Sequence, residues 1–248
     1  MADPVVLIHG AWQGSWGWAR LIPLLEDGGL ECLAVDLPGS GTETVPPSEI
    51  TLETCLDYLE GVLAEIGRPV SLVGHSGGGI IASATAERFR DRINRIAYVA
   101  GMMLPSGMTF GDLQKELQGQ EGFSQGISDR IVYSDDRQSS TVPPEEAAAI
   151  FFNDCPRDVA MEAAMKLTPQ AEGARAIPPE LTPERFGTLP RLYVEATGDR
   201  SVVLLAQRRM QELVPGAKVR SLPTGHAPQL SKPALLAEAL IPFLVGKA

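Results

Sequence analysis

The chain has 248 residues, 44% of them hydrophobic, and a formal net charge of −10 at neutral pH. That length suits one large α/β domain or two small ones with a sizeable core. The acidic balance excludes recognition of a nucleic-acid backbone and attraction to an anionic membrane surface, both of which need a basic face.

In chain order, Val5–Ile8 is a short apolar run ending at His9-Gly10, the pattern of a buried parallel strand. Trp16–Glu26 is expected to be a helix stopped by Gly28-Gly29. Leu30–Val35 is a second strand, followed by Asp36 and the turn-rich Leu37-Pro38-Gly39-Ser40-Gly41. Thr51 begins a helix to Ile66, with Gly67 as its stop. Val70–Val73, Arg95–Ala100, Leu192–Ala196 and Val219–Leu222 are further strands. Ile80–Phe89, Ser201–Val214 and Lys232–Leu244 are expected to be helices. Strands alternating with helices predict a mostly parallel sheet of about six strands with helices on both faces. Ligands of such a sheet sit beyond the carboxyl ends of its strands.

Between Met102 and Pro190 the alternation stops for roughly 85 residues, where about two to six suffice for a connection. Phe110, Leu113, Phe123, Ile127, Phe151, Phe152 and Met165 give this stretch enough apolar mass to pack. Pro144–Phe152 and Pro156–Leu167 look helical. Residues 103–189 are therefore expected to be an inserted helical cap over a core formed by residues 1–102 and 190–248.

No apolar run approaches the roughly 20 residues of a membrane span, and Met1-Ala2-Asp3-Pro4 carries no basic leader. A cytoplasmic location is expected. Cys32, Cys55 and Cys155 match no metal or redox spacing and are expected to be free thiols.

The segment Val70–Gly79 carries the chemistry. An apolar run, then Gly74-His75-Ser76-Gly77-Gly78, then a helix is the context of a nucleophile elbow, which holds a serine at the tip of a sheet. Gly74 and Gly78 flank Ser76 because a Cβ there meets the other side of the turn. A serine hydroxyl needs a base, and the chain has three histidines. His75 adjoins Ser76 and is poorly aimed at it, and His9 closes the first strand in a structural role. His226, in the loop after the last strand, is the candidate base. The acid that fixes its tautomer is expected between Ser76 and His226 in sequence. Asp199, just past a strand, fits best; Glu195 lies inside the strand pattern, and Asp154 in the cap is more distant. The oxyanion donors are expected to be the N–H groups of Gly77 and Ala11, with Gly10 allowing close approach. Trp12, Phe151 and Phe152 are candidate substrate-binding residues, while Trp16 and Trp18 are expected to pack the first helix.

Taken together these residues resemble the α/β-hydrolase fold over essentially the whole chain. Leu7–Trp18, Pro23-Leu24-Leu25, Ala34–Gly41 and Phe152-Asn153-Asp154-Cys155 resemble the plant methylesterase and hydroxynitrile lyase branch. Pro190–Ala196, Gln207–Gln211 and Gly225–Pro228 resemble bacterial pyrethroid-hydrolysing carboxylesterases. The resemblance implies a triad of Ser76, Asp199 and His226, and an oxyanion hole of Ala11 and Gly77. It also implies esterase chemistry without metal or organic cofactor. Two departures stand out: the lyases carry threonine at the place of Gly10 and lysine at the place of Ala227, which favours ester hydrolysis over cyanohydrin cleavage. A bulky residue common at the place of Gly77 is missing here, which implies a wider pocket.

The function expected is a serine carboxylic-ester hydrolase acting on small-to-medium hydrophobic esters. The rivals are the same triad used on a lactone, a carbon–carbon or a cyanohydrin bond, and a non-catalytic ligand-binding protein of the same fold. The expected partners are a small-molecule ester and, as an open alternative, a second copy of the chain in a homodimer. Nucleic acid and membrane are not expected partners.

Overall fold

The computed structural model describes residues 3–40, 45–175 and 177–246; Gly41 of the predicted turn lies outside the described residues. A six-stranded sheet runs in the order β2-β1-β3-β4-β8-β9. Its strands are β1 (Val5–Ile8), β2 (Cys32–Val35), β3 (Val70–His75), β4 (Ile93–Val99), β8 (Arg191–Ala196) and β9 (Lys218–Leu222), and every neighbouring pair is parallel. Three short strands, β5 (Val132–Tyr133), β6 (Ser139–Thr141) and β7 (Gln170–Ala171), form a separate antiparallel sheet.

The apolar runs of the strands divide by the pleat, because successive side chains point to opposite faces. Val6 and Ile8 join Leu72, Ile96, Tyr98 and Tyr193 in one core cluster, while Val5 and Leu7 join Val73, Ala97, Leu192 and Val194 in another. The first face is covered by α2 (Leu52–Ile66), α3 (Gly78–Arg88), α4 (Phe110–Leu117) and α7 (Leu204–Leu213). The second is covered by α1 (Ile22–Asp27) and α9 (Pro233–Leu244), which follows the single turn α8 (Pro228–Ser231). Thr51 caps α2 through its side chain, and Gly67 ends it with φ of 70°.

The helix expected over Trp16–Glu26 is two pieces: a 3-10 turn at Ser15–Trp18 and then α1. Pro23 lies in the first turn of α1, where its missing N–H costs nothing. In a continuous helix its ring would clash with the carbonyl four residues back, at Ala19. Trp18 packs in the core, whereas Trp16 is only half-buried against the cap cluster.

The segment over the carboxyl edge is not purely helical. It holds α4, α5 (Pro144–Ile150) and α6 (Arg157–Met165) together with the small sheet. The strands of that sheet are two or three residues long and include the polar Ser139-Ser140-Thr141. Strands so short have no readable alternation, and tertiary pairing makes them. Phe151, Phe152, Ala160, Ala163 and Ala164 form a third core cluster that includes Trp12 and Ala227. This segment is thereby seated on the loops that follow β1 and β9.

Candidate active site

After β1 the chain moves outward to β2, and after β3 it moves the other way to β4. The loops leaving β1 and β3 therefore diverge at a switch point between adjacent strands. Ile8 pairs in register with Gly74, which sets His9–Trp12 beside His75–Gly78.

Ser76 carries the strain of the elbow, with φ of 50°. Such backbone is unusual for a non-glycine residue and is held only where the surroundings over-determine it. A Cβ on Gly74 would lie 2.7 Å from the Gly78 carbonyl oxygen. A Cβ on Gly78 would run into the carbonyl oxygens of His9 and Ile8, and one on Gly10 would lie 2.9 Å from Ser76 Cβ. Gly74 and Gly78 are thus required by close backbone approach, and Gly10 by the nearness of the Ser76 Cβ. Gly77 differs: a Cβ there would sit 3.7 Å from Ala11 N, an ordinary contact.

His226 Nδ1 donates to Asp199 Oδ2 at 2.7 Å, and both side chains are fully buried. Asp199 Oδ1 accepts from the N–H of Ser201 at 2.7 Å and of Val202 at 3.0 Å. The carboxylate is held on both sides, and its contact with Nδ1 places the free lone pair of a neutral imidazole on Nε2. His226 Nε2 is buried and has no hydrogen-bond partner among the described residues. No hydrogen bond joins it to Ser76 Oγ in this structure. Bonds of this kind are commonly long in substrate-free sites and tighten in the reacting complex. Ser76 lines the cavity described below, and Phe151, on the same wall, stacks on the His226 ring with centroids 5.4 Å apart.

The other titratable candidates are engaged elsewhere. Glu195 accepts from Ser221, Gln211 and Arg208, and Asp154 accepts from Ser231 at 2.8 Å. His9 donates through Nδ1 to the Gly10 carbonyl and accepts the Leu37 N–H at Nε2, a structural pairing of the neutral ring. His75 turns away from Ser76 and donates through Nε2 to the His226 carbonyl at 2.8 Å. Burial holds the pKa of His75 well below 6.5, and the neighbouring His226 adds to the effect; burial likewise lowers His9.

Below pH 6.5 the unfolded chain takes up protons that the folded His75 and His9 refuse, so the unfolded state binds more protons and stability falls as pH falls. The drop begins near pH 6.5 and continues towards the depressed folded-state values. His75→Gln, which keeps a donor near the His226 carbonyl, is expected to flatten this acid-side loss. Melting temperature against pH for both proteins checks it, and parallel curves would contradict it.

The expected oxyanion donors converge. Ala11 and Gly77 both line the cavity, and neither N–H has an acceptor among the described residues. Gly77 also stands at the N-terminus of α3, where the helix dipole favours negative charge. The cavity has a volume of about 260 Å³. Its wall is largely apolar, with Leu37, Ile81, Met102, Phe110, Ile127 and Phe151 among its residues. Trp12 and Phe151 line it. Phe152 does not: it is buried beneath and meets Phe151 edge-on, with centroids 6.1 Å apart. Adjacent residues at the end of α5 point in different directions, so one can face the cavity while the next packs the segment. Cys55 is on the wall, but burial pushes its thiol up to about 12, so it stays protonated and is not a rival nucleophile.

Three supporting residues are illegible as site residues in the sequence. Gln207, fully buried on α7, binds both the N–H and the carbonyl of Ala196 at 3.0 Å and reaches Asp199 Oδ2 at 3.4 Å. The available signal is an amide on the apolar stripe of Ala206, Met210 and Val214. Gln170 accepts the Trp12 N–H at 3.2 Å, and Ser140 accepts from Trp12 Nε1. They hold Trp12, with its φ of 62°, directly after Ala11. Among the described residues no group of three or more His, Cys, Asp or Glu is arranged to hold a metal ion, and no helix is long and apolar enough to cross a membrane.

Comparison with known proteins gives consistent matches. The sequence profile of the alpha/beta hydrolase family matches residues 5–239. Putative methylesterase 14, chloroplastic, of Arabidopsis thaliana is 31% identical over 95% of this chain and 70% of its own length. Pyrethroid hydrolase of Sphingobium wenxiniae is 29% identical over 96% of this chain and 86% of its own. The first four plant relatives are longer, and the chain spans 70%, 62%, 70% and 55% of them. The crystal structure of a pyrethroid hydrolase from Sphingobium faniae JZ-2 superposes with a TM-score of 0.87 at 27% identity, covering 98% of each chain.

Proposed function

Because the chain belongs to the alpha/beta hydrolase family, we propose that it is a serine carboxylic-ester hydrolase working through Ser76, His226 and Asp199. The observation that carries this reading is the buried Asp199–His226 pair, its Nε2 uncommitted, tied to the loop of the strained serine through His75 and to the cavity wall through Phe151. Relatives named as methylesterases, a methyl jasmonate esterase of Vitis vinifera and pyrethroid hydrolases support ester chemistry.

In the reaction, Ser76 Oγ attacks the ester carbonyl carbon and gives its proton to His226 Nε2. The negative charge that develops on the carbonyl oxygen is received by the N–H groups of Ala11 and Gly77, each worth about 10²–10³ in rate when well placed. Asp199 stabilises the imidazolium. Collapse of the tetrahedral intermediate expels the alkoxide, which takes the proton from His226 and leaves as the alcohol. Water then gives a proton to the same nitrogen and attacks the acyl-serine, and Ser76 recovers its proton as the acid departs. The apolar wall suits small-to-medium hydrophobic esters. Cyanohydrin cleavage is not favoured: a Cβ at Gly10 would press on Ser76, and Ala227, the place of the lyase lysine, is fully buried.

Ser76→Ala is expected to remove hydrolysis of a p-nitrophenyl ester series while leaving the melting temperature near that of the unaltered protein, since only one hydroxyl is lost. Turnover by the folded variant at a comparable rate would overturn the assignment.

A further inference from the structure

The cavity wall has one charged exception to its mostly apolar make-up. Among the described residues that line it, Arg175 is the only Asp, Glu, Lys or Arg. In a chain of net charge −10, the one formal charge on that wall among the described residues is a cation.

Arg175 is held rigidly. Its Nε donates to both oxygens of Glu172 at 2.9 Å, and Nη2 donates to Glu172 Oε2 at 2.6 Å and to the Tyr133 hydroxyl at 3.2 Å. The guanidinium carbon lies 5.5 Å from the centre of the Trp12 ring. Glu172 is fixed in turn by the Ser140 hydroxyl, the residue that also receives Trp12 Nε1. Glu172 does not line the cavity, so it balances the charge without presenting a carboxylate to a ligand. One nitrogen of the fork, Nη1, has no acceptor among the described residues.

We infer that Arg175 Nη1 is a second recognition point, which takes a neutral carbonyl oxygen, of a ketone or a second ester, carried by the substrate away from the scissile bond. The inference rests on the reading of Ser76 as the nucleophile of an ester hydrolase and adds the substrate class. A neutral acceptor fits better than a carboxylate for two reasons. The charge of the guanidinium is already matched by Glu172, so a second anion gains little. A carboxylate would also lose its hydration against Leu37, Ile81 and Phe110, whereas a carbonyl loses less and gains a charge-assisted hydrogen bond. An ester lacking that oxygen leaves the donor unpaired, which is how a polar contact discriminates between substrates of one shape.

The test uses methyl esters of straight-chain acids, plain or with a ketone moved carbon by carbon along the chain. The readout is the oxo-to-plain ratio of kcat/KM in the unaltered protein, in Arg175→Met, and in Glu172→Gln/Arg175→Met, which removes both charges together. A ratio is insensitive to a general loss of folded enzyme, since that lowers both substrates alike. At one ketone position the ratio is expected to be about tenfold or more, and to fall to near one in both variants. A ratio near one at every position overturns the inference, as does a high ratio that survives both substitutions. A larger ratio for a chain-terminal carboxylate than for any ketone overturns the neutral class. If plain esters are not turned over at all, the hydrolase reading fails instead. The same ratio is then measured as Kd by calorimetry on Ser76→Ala, and it decides the inference by the same outcomes.

Discussion

Replacement of Asp199 by Asn is expected to lower kcat by about 10⁴-fold while the protein stays folded. The asymmetry of the carboxylate's surroundings sets the outcome. Oδ1 accepts two backbone N–H groups, from Ser201 and Val202, whereas Oδ2 accepts from His226 Nδ1 at 2.7 Å and, at the longer distance of 3.4 Å, from Gln207 Nε2. An asparagine keeps its oxygen on the side of the two donors and is forced to present its NH2 to His226. The histidine must then accept at Nδ1 and carry its proton on Nε2, the atom that has to take the proton of Ser76. Size, burial and the backbone pairing are all retained, so stability changes little by comparison. Steady-state rates on one p-nitrophenyl ester, with circular dichroism as the control, check this. A variant within about tenfold of the unaltered rate would show that Asp199 does not set the tautomer of the base.

The second large effect is on folding. Gly78→Ala is expected to destabilise the protein by more than about 3 kcal/mol, at the extreme of single substitutions. The added methyl would run into the carbonyl oxygens of Ile8 and His9, where strand β1 crosses close to the start of α3. Carbonyl oxygens at the end of a central strand cannot turn aside as a flexible side chain would. The strand and the helix must separate, and with them Ala11 and Gly77. Gly77→Ala is the internal control, because its Cβ finds only ordinary contacts. Denaturant midpoints of the two variants should therefore differ widely; equal midpoints would mean that the elbow is not built on this close approach.

The elbow and its partners are legible in the sequence because each is a local feature at a strand end. Gly74–Gly78 follows an apolar run, Asp199 sits a few residues past another, and His226 follows β9, a mostly polar and exposed edge strand marked by Val219 and Leu222. The parallel sheet is legible for the same reason, since buried strands with both faces covered are continuous apolar runs. What escapes is made by distant contacts. Ser140 and Tyr133 come together with Glu172 and Arg175, just after β7, through strands of two or three residues, too short to show a pattern. Gln207 is hidden inside an otherwise ordinary helix, and its role appears only when Ala196 and Asp199 are seen beside it. The division of Trp16–Glu26 into two pieces is marked in the sequence only by Pro23. Phe151 and Phe152 are chemically alike and adjacent, so only the structure separates a cavity wall from a core residue.

Ser76 is expected to form an acyl-enzyme. Stopped-flow hydrolysis of a p-nitrophenyl ester tests it most directly, with Ser76→Ala run alongside. A burst of p-nitrophenol equal to the amount of enzyme is expected, followed by slower turnover whenever deacylation limits, with a matching mass increase of one acyl group that maps to Ser76 on rapid acid quench. Hydrolysis by the unaltered protein with no acyl adduct on Ser76 in any ester of the series, or an adduct that persists in Ser76→Ala, would contradict it.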